Sequence, residues 1–477
     1  MSLNFCDVLV VGGDLSGVVA ATLLAKRGMN VLVLDDDEEN DRSAPLVTGL
    51  ETRIFKGLMN KLMIPESKLQ FFEENEVSCQ MILRRHRIDF RPNQNYFLKE
   101  IGREFPEDKE VFQDYLEELN LLREKWVEPL FSLLPLNSRQ DVKQFTQWLE
   151  NLPDEKAASL WAKMSTEFQS VLKIILRFLS RNPVIEPIHL QLLLYLSPEN
   201  CATFSLKGGI RGIKKIFYEK LDYFGGLVHP LGSNEFKILA KGREIKGVKL
   251  SSFNYPTRCR FLIGNLDFQR FYEALPTTLW SYFAKKKARQ LPTLPFYYTV
   301  QYEIRRDLLP EPMRENLVMV DDLAQPLENL NYLEINLSPL SRDNNEMVLL
   351  TVGYQHSSSN SDEPFFENLH GEIERRLRYL IPFAGSDLRR VFPKIKDPAE
   401  SGTLFPENGD FTLFRQLAEK RRDLPVSLFS PKCSTPFKNA LSLGPNLLPW
   451  MGTEGKILSG LRGVELVWDK ESKLKKH

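Results

Sequence analysis

A chain of 477 residues is too long for one ordinary hydrophobic core and predicts two or three structural domains. With 42% hydrophobic and 26% charged residues it reads as globular, which excludes disordered and fibrous classes. Lys+Arg and Asp+Glu both number 63, so no net field draws the chain to nucleic acid.

The five cysteines, Cys6, Cys79, Cys201, Cys259 and Cys433, form no C-x-x-C pair, which suits a reducing compartment rather than a disulfide framework. The six histidines show no metal-ligand spacing, so no metal site is expected. No apolar run approaches a membrane span, and no basic region precedes the first apolar stretch. The expected location is the cytoplasm, with peripheral membrane contact left open.

In chain order, Val8–Val11 is a short buried strand ended by Gly12-Gly13. Ser16–Arg27 is rich in Ala, Leu and Val and predicts a helix closed by Gly28. Val31–Leu34 is a second strand, closed by Asp35. Strand, glycine turn, helix and strand within about thirty residues predict a right-handed βαβ unit with a parallel sheet. In such a turn Gly12 permits the bend, Gly17 lets helix pack on strand, and the helix start, where Ser16 lies, favours a diphosphate. Asp35 is placed for an adenosine ribose. Asp14 stands where the second glycine is usual. It adds a carboxylate beside any phosphate, and it is equally a favoured helix N-cap.

"RIFKGLMNKLMI" predicts a helix, while "HRIDFRP" and "NYFLKE" predict short strands about Asn93-Gln94. From Pro106 to Ser197 the chain reads as mostly helical, with apolar faces suited to helix–helix packing. "FSLKGGIRGIKKIFYEKLDYFGGLVHP" returns to glycine turn, helix and strand. "FKILAKGREIKGVKL" gives two strands joined by a Gly-Arg turn, and "CRFLIGN" another buried strand. "FYYTVQYEIR", "LNYLEINLS" and "MVLLTVGYQ" alternate as one antiparallel sheet, followed by the helix "ENLHGEIERRLRYLIP". "NALSLGPNLLPWMGTEGKILSGLRGVELVW" closes the chain as strand, Gly-rich loop and helix.

Four of these segments, in this order, resemble the flavin-dependent amine-oxidase-like superfamily, in its phytoene-desaturase and carotenoid-isomerase branch. They are the opening βαβ, "YFLKEIGREFPEDKEVFQDYLEEL", "LKGGIRGIKKIFYEKLDYFGGLV" and "LGPNLLPWMGTEGKILSGLRGVELV". The resemblance implies an α/β fold: a Rossmann-like FAD-binding domain and a discontinuous substrate domain of antiparallel sheet plus helical insert. Residues 1–85, 201–275 and 406–477 would form the FAD-binding domain, and 86–200 and 276–405 the substrate domain. It further implies FAD, with Gly12, Gly13, Asp14, Ser16 and Gly17 at the diphosphate, Asp35 at the ribose, Gly444 ending the last strand, and the backbone of Gly455, Lys456 and Ile457 near the flavin pyrimidine. The family's G-G-R is absent; "NDRS" offers Arg42 instead, and Pro445 stands where an aspartate is usual.

The implied reaction is hydride transfer from a hydrophobic, isoprenoid-like substrate to flavin, with no side-chain acid or base required and none assigned. His86, His189, His229, His356 and His370 are isolated and read as surface or packing residues. Phe296, Tyr298 and Tyr302 share a strand face and suit either an apolar tunnel or ordinary core. "FAKKKAR" and "KESKLKKH" suit either solvation or an anionic membrane surface. Three functions stay open: an FAD oxidoreductase, a cofactor-free member of the fold acting as a binding or scaffold partner of another protein, and an NAD(P)-binding protein.

Overall fold

The computed structural model describes residues 4–36, 46–48, 53–65, 72–74, 76–136, 139–150, 155–180, 188–196, 203–206, 210–231, 236–252, 254–266, 268–289, 296–325, 327, 330–339, 346–356, 363–392, 432–444, 447–448 and 451–474. The opening unit has the predicted form: β1 (Phe5–Val11), α1 (Leu15–Lys26) and β2 (Val31–Asp35), with β1 and β2 parallel. Val8, Val10, Val31 and Val33 pack in one cluster with α1, as β-branched residues on a pleated face do.

β1 lies inside a seven-stranded sheet. On one side are β2 and Leu227–Pro230; on the other are Thr257–Gly264, Glu244–Leu250 and Phe236–Lys241, with Ala440–Ser442 added parallel to Thr257–Gly264. Strands from the start, middle and end of the sequence thus build one layer. Every residue of α1 from Leu15 to Ala25 is buried. A helix apolar on all sides needs cover on all sides; the sheet supplies one, and the helices Ile210–Tyr223 and Gly452–Leu474 supply the others.

A second seven-stranded sheet carries the three alternating segments in one antiparallel run: Phe296–Arg305, Met347–His356 and Tyr332–Pro339. Asn316–Val320 continues it and pairs in parallel with Cys79–Leu83, so the chain has entered the second sheet before residue 85. The helix Glu363–Leu380 covers one face, where Val300, Tyr302 and Ile304 are fully buried with Ile373 and Leu377. Tyr302 is therefore core; the side chains of Phe296 and Tyr298 lie outside the described residues. The architecture is the predicted one: a Rossmann-like domain and a discontinuous domain of sheet and helices.

One element differs from its sequence reading. "NYFLKE" lies in a helix, Gln94–Glu104, not a strand. Asn93 caps it, its side-chain oxygen accepting from the backbone N–H of Asn95 and Tyr96 at 3.0 and 3.4 Å. Phe97 and Ile101, spaced four apart, face the helical core; Phe97 meets Phe90 and Phe112 edge-on. Six residues were too short a window to separate the two periods.

Candidate nucleotide turn

The turn after β1 is built to bring backbone within contact of backbone. Gly12 has φ +111°, and a Cβ there would fall 2.3 Å from the carbonyl oxygen of Asn265. A Cβ on Gly17 would fall 2.2 Å from Asn265 Cγ, and one on Gly13 1.7 Å from Asp35 Oδ1. The space each glycine leaves is filled by the protein's own groups.

Asn265 follows the strand Thr257–Gly264 and is almost wholly buried. Its Nδ2 donates to the carbonyls of Gly12 and Asp14 at 3.0 and 2.6 Å. Its Oδ1 accepts from Gly17 N–H at 2.9 Å and lies 2.8 Å from Ser16 Oγ. One amide thus ties both ends of the turn. Sequence reading missed it, because nothing local to "CRFLIGN" points to residues about 250 positions earlier.

Asp14 is the N-cap of α1: Oδ2 accepts from Ser16 N–H at 3.2 Å and from Ser16 Oγ at 2.8 Å. Its other oxygen accepts from Lys456 Nζ at 2.7 Å. Burial by itself would push the Asp14 carboxyl up. The Lys456 charge and hydrogen bonds from Lys456 and Ser16 outweigh it and hold the group below the usual carboxylate range.

Gly13 N–H donates to Asp36 Oδ1 at 2.8 Å, and Asp36 also pairs with Arg270 at 2.7 Å. Asp35 accepts from the Tyr218 hydroxyl at 2.7 Å and faces Gly13 across the turn. The Lys214 ammonium lies near the same glycine. Three carboxylates, Asp14, Asp35 and Asp36, are thus set among three cations, Lys456, Arg270 and Lys214.

The closing segment reaches the Asp14 carboxylate of this turn through Lys456. The helix Gly452–Leu474 places Gly455, Lys456 and Ile457 in its early turns. Lys456 reaches Asp14, Ile457 is fully buried in the first domain's core, and a Cβ on Gly455 would lie 2.4 Å from Leu448 O. Gly444 has φ +50° and backs onto Leu266 O. Arg42 and Pro445 lie outside the described residues.

These residues do not fit a diphosphate at the turn. Gly13, Ser16 and Gly17 already donate their amides to Asp36, Asp14 and Asn265. Like charges about 4 Å apart cost about 4 kcal/mol per pair at an effective dielectric of about 20, and about 1 kcal/mol in bulk water. A phosphate must therefore both displace Asp36 and approach Asp14, against charges already matched.

The other side chains weighed from the sequence lie apart from the turn. His189 is buried with its Nδ1 2.7 Å from the Tyr115 hydroxyl, and His370 is buried in the second domain. His86 contacts Glu104 at 2.9 Å and stacks on Phe105. It lines a cleft of about 530 Å³ with Arg84, Arg85, Glu167, Asp321 and Asp322, charged groups of both signs. Among the described residues the four cysteines are buried and form no disulfide, no cluster of His, Cys, Asp or Glu is arranged for a metal, and no helix is long and apolar enough to cross a membrane.

Residues 10–39 match the family described as the NAD(P)-binding Rossmann-like domain. An oxidoreductase from Methanosarcina mazei is similar over 96% of this chain and all of its own, at 15% identity and a TM-score of 0.54. A geranylgeranyl bacteriochlorophyll reductase-like protein from Thermoplasma acidophilum is similar over 98% of this chain and 80% of its own, at 11% identity and a TM-score of 0.50. Cyclohexylamine oxidase from Brevibacterium oxydans is similar over 98% and 99%, at 12% identity and a TM-score of 0.50. No curated protein matches the sequence. The chain has the fold of FAD- and NAD(P)-dependent oxidoreductases related to the amine oxidases. At these identities the likeness is one of fold.

Proposed function

We propose that this chain is a cofactor-independent member of that fold, acting as a binding or scaffold partner rather than by hydride transfer to flavin. The observation that carries the reading is the self-ligated turn: Asp14 on the Ser16 amide, Asn265 on the Gly17 amide, Asp36 on Gly13, and Lys456 neutralising Asp14. A helix start attracts anions because its N–H groups are unsatisfied. Here the Ser16 and Gly17 amides find that anion-like partner within the chain.

The spectrum of the purified protein tests this directly. We expect no flavin absorption, and no heat on titration with FAD, NADH or NADPH. Asp14→Gly alone will not confer FAD binding, because Asp36 keeps the Gly13 amide. Stoichiometric flavin in the wild-type protein would instead favour the oxidoreductase reading, with a phytoene-desaturase-like reaction on a hydrophobic substrate. Heat with NADH or NADPH alone would favour the dinucleotide reading.

A further inference from the structure

The helix Leu279–Arg289, sequence "LWSYFAKKKAR", is set at its start by a reciprocal cap: Thr278 N–H donates to Ser281 Oγ at 2.8 Å, and Ser281 N–H donates to Thr278 Oγ1 at 3.2 Å. Ser281 and Ala288, seven residues apart, are buried and fix which face meets the protein. Leu279 and Phe283 lie on the opposite face, with Trp280 and Tyr282 on its two flanks. Leu279 is 75% exposed, Trp280 55%, Tyr282 55% and Phe283 68%. Isolated exposed apolar residues are ordinary, but four within five residues on one helix are a patch.

Cations adjoin the patch. Lys285, Lys286, Lys287 and Arg289 follow Phe283, and no acidic residue occurs from Leu275 to Leu291. The Arg243 guanidinium sits 4.8 Å from the Trp280 ring centre. Lys286 is exposed, while Lys285 donates to Glu273 O at 3.0 Å and Arg289 pairs loosely with Glu273 at 3.6 Å. The second basic segment lacks this partnership: along the described part of "KESKLKKH", Lys470 donates to Lys438 O and Glu471 pairs with Arg260.

We propose that this helix docks the protein on an anionic lipid bilayer, with Trp280, Tyr282 and Phe283 entering the headgroup–acyl boundary and Lys286 and Arg289 facing acidic headgroups. Charge complementarity selects the lipid: aromatic rings favour the interface of any bilayer, while the adjoining cations favour a negative one. No flavin is required, so docking is independent of the function proposed above.

Cosedimentation of the full chain tests it, with phosphatidylcholine vesicles and with vesicles of about one third phosphatidylserine. The wild type sediments with the anionic vesicles, and more weakly with the neutral ones. Trp280→Ser with Phe283→Ser, and separately Lys286→Glu with Arg289→Glu, each reduce partitioning at least about tenfold. These residues lie off the core, so circular dichroism of both variants matches the wild type. The proposal fails if the wild type stays in the supernatant, if neither variant weakens binding, or if neutral vesicles bind equally. It also fails if the serine variant merely dissolves a homodimer that has no affinity for vesicles.

Discussion

Asn265 shows what one side chain can decide. It makes three hydrogen bonds to the turn, two donated and one accepted, which uses the full capacity of its amide except for one lone pair, and that lone pair faces Ser16 Oγ at 2.8 Å. Asn265→Ala leaves the Gly17 N–H and two buried carbonyls without these partners; at about 1–3 kcal/mol per orphaned group, destabilisation by about 3 kcal/mol is expected in urea unfolding. Asn265→Asp keeps the acceptor but loses the amide donor and adds a fourth carboxylate, so it is expected to be at least as damaging. The cap at Asp14 was legible in the sequence, since Asp before an apolar helix carries its own reason. Lys456 and Asn265 were not legible in these roles. The partners of Asp14 and Ser16 come from far along the chain, and the approach is a property of packing rather than of any motif.

At the scale of elements, the opening βαβ unit and the three alternating strands were legible because each presents a period over enough residues to count. The helix Gln94–Glu104 was not, because its amphipathic stripe spans little more than two turns. The closing helix was found, but its packing surface was not. A Cβ on Gly460 would fall 2.6 Å from Ser16 O and 2.9 Å from Val19 Cγ1, so this glycine allows the last helix to cross α1 closely. Gly460→Ala is expected to destabilise by about 1–3 kcal/mol, since backbone must shift to admit a methyl group. Gly371, in the helix Glu363–Leu380, has open space at its Cβ position. Gly371→Ala should stabilise by about 0.5–1 kcal/mol through helix propensity. Urea midpoints of the two variants should therefore move in opposite directions.

Across the whole molecule, two buried imidazoles tie stability to pH. Burial lowers His189 from 6.5 to about 4, and burial followed by the charge of Arg390 lowers His370 to about 4. The folded state holds both rings neutral while the unfolded chain protonates them near 6.5. Stability is therefore complete above about pH 6.5 and falls as pH drops toward about 4, by up to about 3 kcal/mol per histidine. Equilibrium unfolding at successive pH values should show this slope, and His189→Gln should flatten about half of it.

The sheet that holds β1 also joins Ala440–Ser442, and α1 is roofed by the helix Gly452–Leu474. During translation the first helix emerges with an apolar surface whose cover has not yet been made. At the usual pace of synthesis that interval lasts on the order of a minute. Until then the nascent βαβ unit must be shielded by the ribosome, by a chaperone or by transient self-collapse, and the arrival of Gly452–Leu474 is the event that lets the first domain close.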